Sequence, residues 1–120
     1  MTMYQMTEAE MKFAELVWEE APIASGELVK RCAEEFEWKK STTYTFIKKL
    51  CEQGIFKNEN AVVEAILTKD EYLQQQGEVF VDKAFGGSLP KMIAAFVERK
   101  RLSKEQIAEI EKIIEDYKKN

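Results

Sequence analysis

A short stretch in the middle of the chain concentrates the side chains with the clearest binding chemistry. Between Trp38 and Lys57 there are five lysines against one acidic residue, Glu52, although residues 1–70 as a whole carry 9 basic and 13 acidic side chains. Lysine ammonium groups bind anionic oxygens, and hydroxyls both donate and accept hydrogen bonds. The stretch therefore suits a phosphate-bearing partner despite the net charge of −4, the alternative being an ordinary solvated helix face. The candidate binding residues are Lys39, Lys40, Ser41, Thr42, Tyr44, Thr45, Lys48 and Lys49.

Other chemistries find little support in the composition. The chain has no histidine, which excludes the usual Cys/His zinc sites and catalysis of the Ser-His-Asp or Cys-His type. Gly86-Gly87 is a lone pair without the spacing of a phosphate-binding loop. Cys32 and Cys51 lie in helical patterns and are interpreted as small buried apolar residues, with a redox pair as the alternative. We therefore predict no enzymatic activity, no metal site and no cofactor.

The expected location is the cytoplasm. No apolar run approaches the roughly 20 residues that span a bilayer, and Met1 to Met6 lacks the pattern of a signal peptide.

The candidate residues need helices to position them. The capping box Thr7-Glu8-Ala9-Glu10 predicts a first helix that ends by Glu20, before Pro22. Ser25 is expected to be the N-cap of a second helix reaching about Glu35.

The third predicted helix, from about Ser41 to Gln53, carries most of the candidates. Its apolar positions recur at helical spacing, and Gly54 is placed to form a left-handed C-terminal cap. Ser41, Thr45, Lys48 and Lys49 should project from the face opposite the core. The residues expected to face the core are Thr43, Phe46, Ile47 and Leu50.

A change of periodicity follows Gly54. Residues 55–57, a polar turn at 58–60 and residues 61–67 indicate a short β-hairpin. Three helices followed by a two-stranded ribbon are typical of a winged helix, a variant of the helix-turn-helix. The expected fold class is mainly α with a small β-hairpin.

The C-terminal part is predicted to be three more helices, with capping boxes at Thr68 and Ser103 and a break at Gly86-Gly87. About 50 residues are too few for a self-sufficient core, which favours a dimer. We expect residues 1–68 to be the winged-helix domain and residues 69–120 to be a helical dimerisation domain. The predicted dimerisation residues are Tyr72, Phe80, Met92, Ile93, Phe96, Ile107, Ile110 and Ile114.

Several of these motifs together resemble the penicillinase-repressor family, which includes the methicillin-resistance repressor and copper-responsive repressors. The likeness covers nearly the whole chain in order. It is carried by Thr7-Glu8-Ala9-Glu10, Val17-Trp18, Trp38, Thr42-x-x-Thr45-Phe46-Ile47-x-Lys49-Leu50-x-x-x-Gly54, Phe85-Gly86-Gly87-Ser88, Phe96-Val97-Glu98 and Leu102-Ser103.

The resemblance implies a homodimeric repressor that binds palindromic double-stranded operator DNA. In antibiotic-responsive members a membrane sensor triggers proteolysis before the phenylalanine of the Phe-Val-Glu run, which here corresponds to the Ala95–Phe96 bond. The alternative is that Phe96 is simply a buried core residue.

This chain also departs from the family pattern. Thr43 replaces an aliphatic residue, Lys49 an arginine and Gln53 a lysine, and the wing around Glu59 lacks the usual basic residues and tyrosines. The paired-cysteine tail of the copper-responsive members is missing, so direct copper sensing is not expected.

Two other functions remain open from the sequence. The acidic wing favours a protein-interaction winged helix that has lost DNA binding. A regulator switched by a small molecule held around Tyr72, Phe80 and Phe85 is the second alternative.

Overall fold

The computed structural model describes residues 4–120. Its fold is mainly helical, with a small antiparallel sheet, and the winged helix is followed by C-terminal helices, as predicted. The elements in chain order are α1 (Glu8–Glu20), β1 (Ile23–Ala24), α2 (Ser25–Phe36), α3 (Lys40–Glu52), β2 (Phe56–Glu59), β3 (Val62–Ala65), α4 (Lys69–Phe85), α5 (Leu89–Glu98) and α6 (Lys104–Lys118).

The helix starts follow local side-chain chemistry. The capping boxes at Thr7 and Ser103 are formed, since each hydroxyl accepts from the backbone N–H three residues on. The same reciprocal bonds join Thr68 and Glu71 at the start of α4. Ser88 caps α5, with Pro90 just inside the helix.

Ser25 corrects one prediction. It is the first residue of α2 rather than its N-cap, and the true N-cap, Ala24, has no side chain with which to bond. The Ser25 backbone N–H instead donates to the Ala61 carbonyl at 2.8 Å. The tip of the β2–β3 hairpin therefore fixes the start of α2, a long-range contact that local sequence does not reveal.

The sheet has one strand more than the predicted hairpin. Its order is β1-β3-β2, and β1 pairs antiparallel with β3 in the register Ile23 with Val63 and Ala24 with Val62. A strand of two residues is too short to show alternation in the sequence.

The core of the winged helix lies between α1, α2, α3 and the sheet. Phe13, Leu28, Leu50 and Val63 are fully buried there. The ring of Trp18 lies edge-on to the ring of Phe56 in β2, and its indole N–H donates to the Leu67 carbonyl at 2.9 Å.

The chain divides into two compact units, the first ending at Gly77 and the second running from Glu78 to Asn120. The first half of α4 belongs to the first unit because Tyr72 is buried in its core and the Gln76 amide donates to the Tyr4 carbonyl. The division of function after Thr68 stays a prediction, since compact units need not coincide with functional domains. In the second unit, α5 and α6 contain no buried residue.

Candidate nucleic-acid interface

Helix α3 is held by one buried face. Thr43 and Leu50 are fully buried and Ile47 is 3% exposed, as the periodicity predicted. The helix ends at Glu52, and Gly54 just beyond it has a φ of +77°, which suits glycine and allows the Ile55 N–H to reach the Leu50 carbonyl at 3.0 Å. The opposite face of α3 is therefore fixed relative to the rest of the first unit.

An aromatic cluster sets the turn between α2 and α3. Trp38 stacks on Phe13 and contacts Phe36 and Phe46, with ring centroids 4.3–5.9 Å apart. Phe46, expected in the core, is half-buried as part of this cluster. The chain turns at Glu37, whose φ is +57°, so that α3 starts directly after Trp38 and Lys39.

The start of α3 is electropositive. Its N-cap residue is Lys39, no side chain caps the helix, and the first turn contains no acidic residue. The unpaired N–H groups and the helix dipole at such an end favour an anion. Lys39 and Lys40 are exposed beside it, and no carboxylate of the described residues lies within 4.0 Å of either ammonium.

The outward face of α3 presents Ser41, Thr45 and Lys48, all exposed. Lys48 also has no carboxylate within 4.0 Å among residues 4–120, so its ammonium is free to bind a partner. The Thr45 hydroxyl already donates to the Ser41 carbonyl at 2.9 Å, which leaves its methyl group and lone pairs to face outward. Glu52 lies on the same face at about 100° per residue and is the one acidic group there.

The flanks of α3 carry Tyr44, Thr42 and Lys49. The Tyr44 phenol lies 3.3 Å from the Ser25 hydroxyl and joins α3 to the start of α2. Thr42 is half-buried. The Lys49 ammonium lies 3.9 Å from a carboxylate oxygen of Glu10 and 5.7 Å above the ring of Tyr4.

Glu10 is a polar site residue that the sequence did not reveal, since the capping box was its one predicted role. Its side chain is 5% exposed. Burial alone would raise the pKa of this carboxyl group, but the backbone N–H of Thr7, the phenol of Tyr4 and the charge of Lys49 lower it below its ordinary value. Nothing in the local sequence signals this pairing, because Glu10 and Lys49 are far apart along the chain.

The wing is short and acidic. Asn60 and Ala61, with φ of +53° and +60°, form a two-residue turn. The Lys57 ammonium lies 3.4 Å from the Glu64 carboxylate and 3.9 Å from that of Glu59, so the one cation of the hairpin is shared between two acids. The hairpin therefore offers little to a phosphate.

The predicted dimerisation residues separate into two groups. Tyr72 is 3% exposed in the first unit, and its hydroxyl accepts from the Met6 N–H at 2.8 Å, so its surface is already used within the chain. Phe80, Phe96, Ile107 and Ile114 in the second unit are 40–53% exposed. The other three second-unit residues, Met92, Ile93 and Ile110, are half-buried.

The Ala95–Phe96 bond lies in the last turn of α5, where Phe96 is 43% exposed rather than buried in the chain. Phe80, named for a possible ligand pocket, contacts Phe85 edge-on at 5.9 Å.

Among residues 4–120 no group of histidine, cysteine or acidic side chains is arranged to hold a metal ion. In the same part of the chain, every helix is too short or too polar to cross a bilayer.

Comparison with known proteins agrees with this architecture. Residues 6–116 match the family model described as "Penicillinase repressor". A penicillinase repressor of Bacillus licheniformis is 24% identical over 118 residues, covering 95% of this chain and 92% of the relative. The methicillin resistance regulatory protein MecI of Staphylococcus aureus is 21% identical over 115 residues, covering 92% and 94%.

A solved structure shows the same fold. It is the solution structure of the Bacillus licheniformis BlaI monomer in complex with the blaP half-operator, with a TM-score of 0.51 and 20% identity. The match covers 59% of this chain and 92% of that chain.

Proposed function

The chain belongs to the penicillinase repressor family, and we propose that it is a transcriptional repressor that binds double-stranded operator DNA through α3. The resemblance found in the sequence is confirmed, and the prediction of a repressor rather than an enzyme agrees with the family. A repressor acts where the DNA is, so the proposal includes a cytoplasmic location.

One observation carries the proposal for this chain: Lys39, Lys40 and Lys48 are exposed on α3 or at its start without a carboxylate partner among the described residues. We assign Lys39, Lys40 and Lys49 to phosphates, because phosphate contacts supply affinity and orientation. The proposed groove contacts, which can donate to or accept from base edges, are Ser41, Thr42, Tyr44, Thr45 and Lys48.

Homodimerisation is the second part of the proposal. Helices α5 and α6 bury no residue within the chain, yet α6 exposes Ile113 by 67% and Tyr117 by 80%. Large apolar side chains at successive turns of one helix face are stabilised when a second copy covers them. We expect sedimentation to give a dimer at micromolar concentration and Ile114→Glu to give a monomer, whereas a folded wild-type monomer would contradict the proposal.

Two dimer-related recognition helices would require a palindromic operator, with half-sites spaced by about one turn of DNA or a multiple of it.

The proposed relief of repression is cleavage of the Ala95–Phe96 bond by a membrane-bound sensor protease. Because this bond lies in α5, the last turn must open before a protease can bind it in extended form. Incubation with such a sensor should yield a fragment ending at Ala95, and its absence would count against this route.

DNA binding is tested by fluorescence anisotropy with the DNA upstream of the chain's own gene. Lys48→Ala with Lys49→Ala should weaken binding and lower the salt slope by about 0.9 per lost phosphate contact. The matched control, Lys30→Ala with Lys69→Ala, removes the same charge from exposed positions outside α3 and should bind within about twofold of wild type. Unchanged binding by the α3 variant at moderate salt would refute the assignment.

The acidic wing favours a second candidate function, a winged helix that binds a protein instead of DNA. Glu59 and Glu64 share Lys57, and Glu52 lies on the outward face of α3. Absence of wild-type binding to any promoter DNA at low salt, with a folded dimer, would favour this candidate.

A further inference from the structure

A polar cluster around the buried Glu10 carboxylate lies behind α3, and we call it the Glu10 cluster: Tyr4, Thr7, Glu10 and Lys49. Both carboxylate oxygens of Glu10 lie 2.7 Å from the Tyr4 hydroxyl, and one of them accepts from the Thr7 N–H at 2.9 Å. Lys49 completes the cluster from α3, with its ammonium 3.9 Å from the other oxygen. Glu10 is 4% exposed, so its charge is held by these donors rather than by water.

The segment before α1 anchors this cluster to α4. The Tyr4 carbonyl accepts from the Gln76 side-chain amide at 3.0 Å, and the Met6 N–H donates to the Tyr72 hydroxyl at 2.8 Å. All of these residues belong to the first unit. Tyr4 is therefore fixed at both its backbone and its phenol, which fixes Glu10 in turn.

Lys49 differs from Glu10 in its access to solvent. Its side chain is 53% exposed, and its long separation from the carboxylate leaves ammonium hydrogens to face outward. A lysine side chain has a flexible four-carbon stem, and ordering that stem is a cost of binding. A fixed negative charge behind the ammonium reduces this cost because it restricts the positions of the group before DNA arrives.

We propose that Glu10 and Tyr4 are positioning residues for DNA binding: they orient the Lys49 ammonium toward a backbone phosphate. The inference rests on the proposed function and deepens it. It distinguishes Lys49, which is oriented in advance, from Lys48 on the same helix, which has no such partner among the described residues.

The test is a double-mutant cycle on operator affinity with Glu10→Gln and Lys49→Met. Glu10→Gln should weaken binding roughly two- to tenfold, the cost of ordering one long side chain. In a Lys49→Met background the same change should alter affinity by less than about twofold, because the residue that it orients is gone. In a Lys48→Met background, the matched control, Glu10→Gln should keep its full effect.

Lys49→Met should also lower the slope of log affinity against log salt by about 0.9, the loss of one phosphate contact. Additive effects in the cycle, tighter binding by Glu10→Gln, or an unchanged slope for Lys49→Met would each overturn the inference. Wild type that binds no DNA would instead overturn the proposed function, and this inference with it. Urea unfolding checks each variant, and Tyr4→Phe, which removes one donor, repeats the cycle if Glu10→Gln does not fold.

Discussion

The Thr43→Val substitution should stabilise the protein. Thr43 is fully buried on the inner face of α3, and its hydroxyl has no hydrogen-bond partner among the described residues. The thiol of Cys32 lies nearby but is a weak hydrogen-bonding group. Valine has nearly the same shape and a similar helix propensity, so the change removes an unpaired polar group with little loss of packing.

The expected gain follows from the cost of that unpaired group. A buried donor or acceptor without a partner costs about 1–3 kcal/mol. Allowing for a weak contact with the thiol, we expect the free energy of unfolding to rise by about 1–2 kcal/mol. For a unit of 60–100 residues this raises Tm by about 4–8 °C per kcal/mol.

Urea unfolding followed by circular dichroism measures the gain. The matched control is Thr45→Val on the same helix, where the side chain is exposed and the change should stay within about 0.5 kcal/mol. Operator affinity of Thr43→Val should match wild type, because the residue faces away from the proposed interface. Equal or lower stability than wild type would show that the hydroxyl is satisfied in the folded protein and would contradict this prediction.

Three further outcomes are expected. Ala61→Gly should stabilise the wing by about 0.5–1 kcal/mol in urea unfolding, because Ala61 has a φ of +60° and glycine relieves that strain at some cost in chain entropy; a loss of stability would contradict this. The pKa of Glu10 is lowered in the folded protein, so its ionised form stabilises the fold above its ordinary pKa, and this stabilisation is lost as pH falls through the folded value. Below about pH 4.5 the free energy of unfolding should therefore fall less steeply for Glu10→Gln than for wild type. Burial raises the pKa of the thiols of Cys32 and Cys51, so both should react slowly with a disulfide reagent at pH 8, and the half-buried Cys51 should react first; equal rates would indicate global opening.

Features encoded within one turn of helix were predictable from the sequence. The capping boxes at Thr7, Thr68 and Ser103 involve residues three apart, so their spacing alone marks the helix starts. The buried face of α3 follows from helical periodicity, and Gly54 marks its end because glycine tolerates the left-handed conformation. These local signals also supplied the order of elements, and hence the winged helix.

Contacts between distant residues were not predictable in this way. Ser25 was expected to cap α2, but the helix start is held by the Ala61 carbonyl in the wing. Tyr72 was assigned to the dimer because it stands at an apolar position of the helical repeat in α4. Its hydroxyl instead accepts from the N–H of Met6, 66 residues away. The pairing of Glu10 with Lys49 depends on the packing of α1 against α3 and leaves no periodic signal.

Selection from a pool of random DNA duplexes tests whether α3 binds a symmetric operator. The purified protein should enrich sequences with two-fold symmetry, whose half-sites are separated by about 10–10.5 base pairs or a multiple. The Lys48→Ala, Lys49→Ala variant should enrich them weakly or not at all. No enrichment by the wild-type protein, or equal enrichment by the two proteins, would show that α3 is not the helix that binds operator DNA.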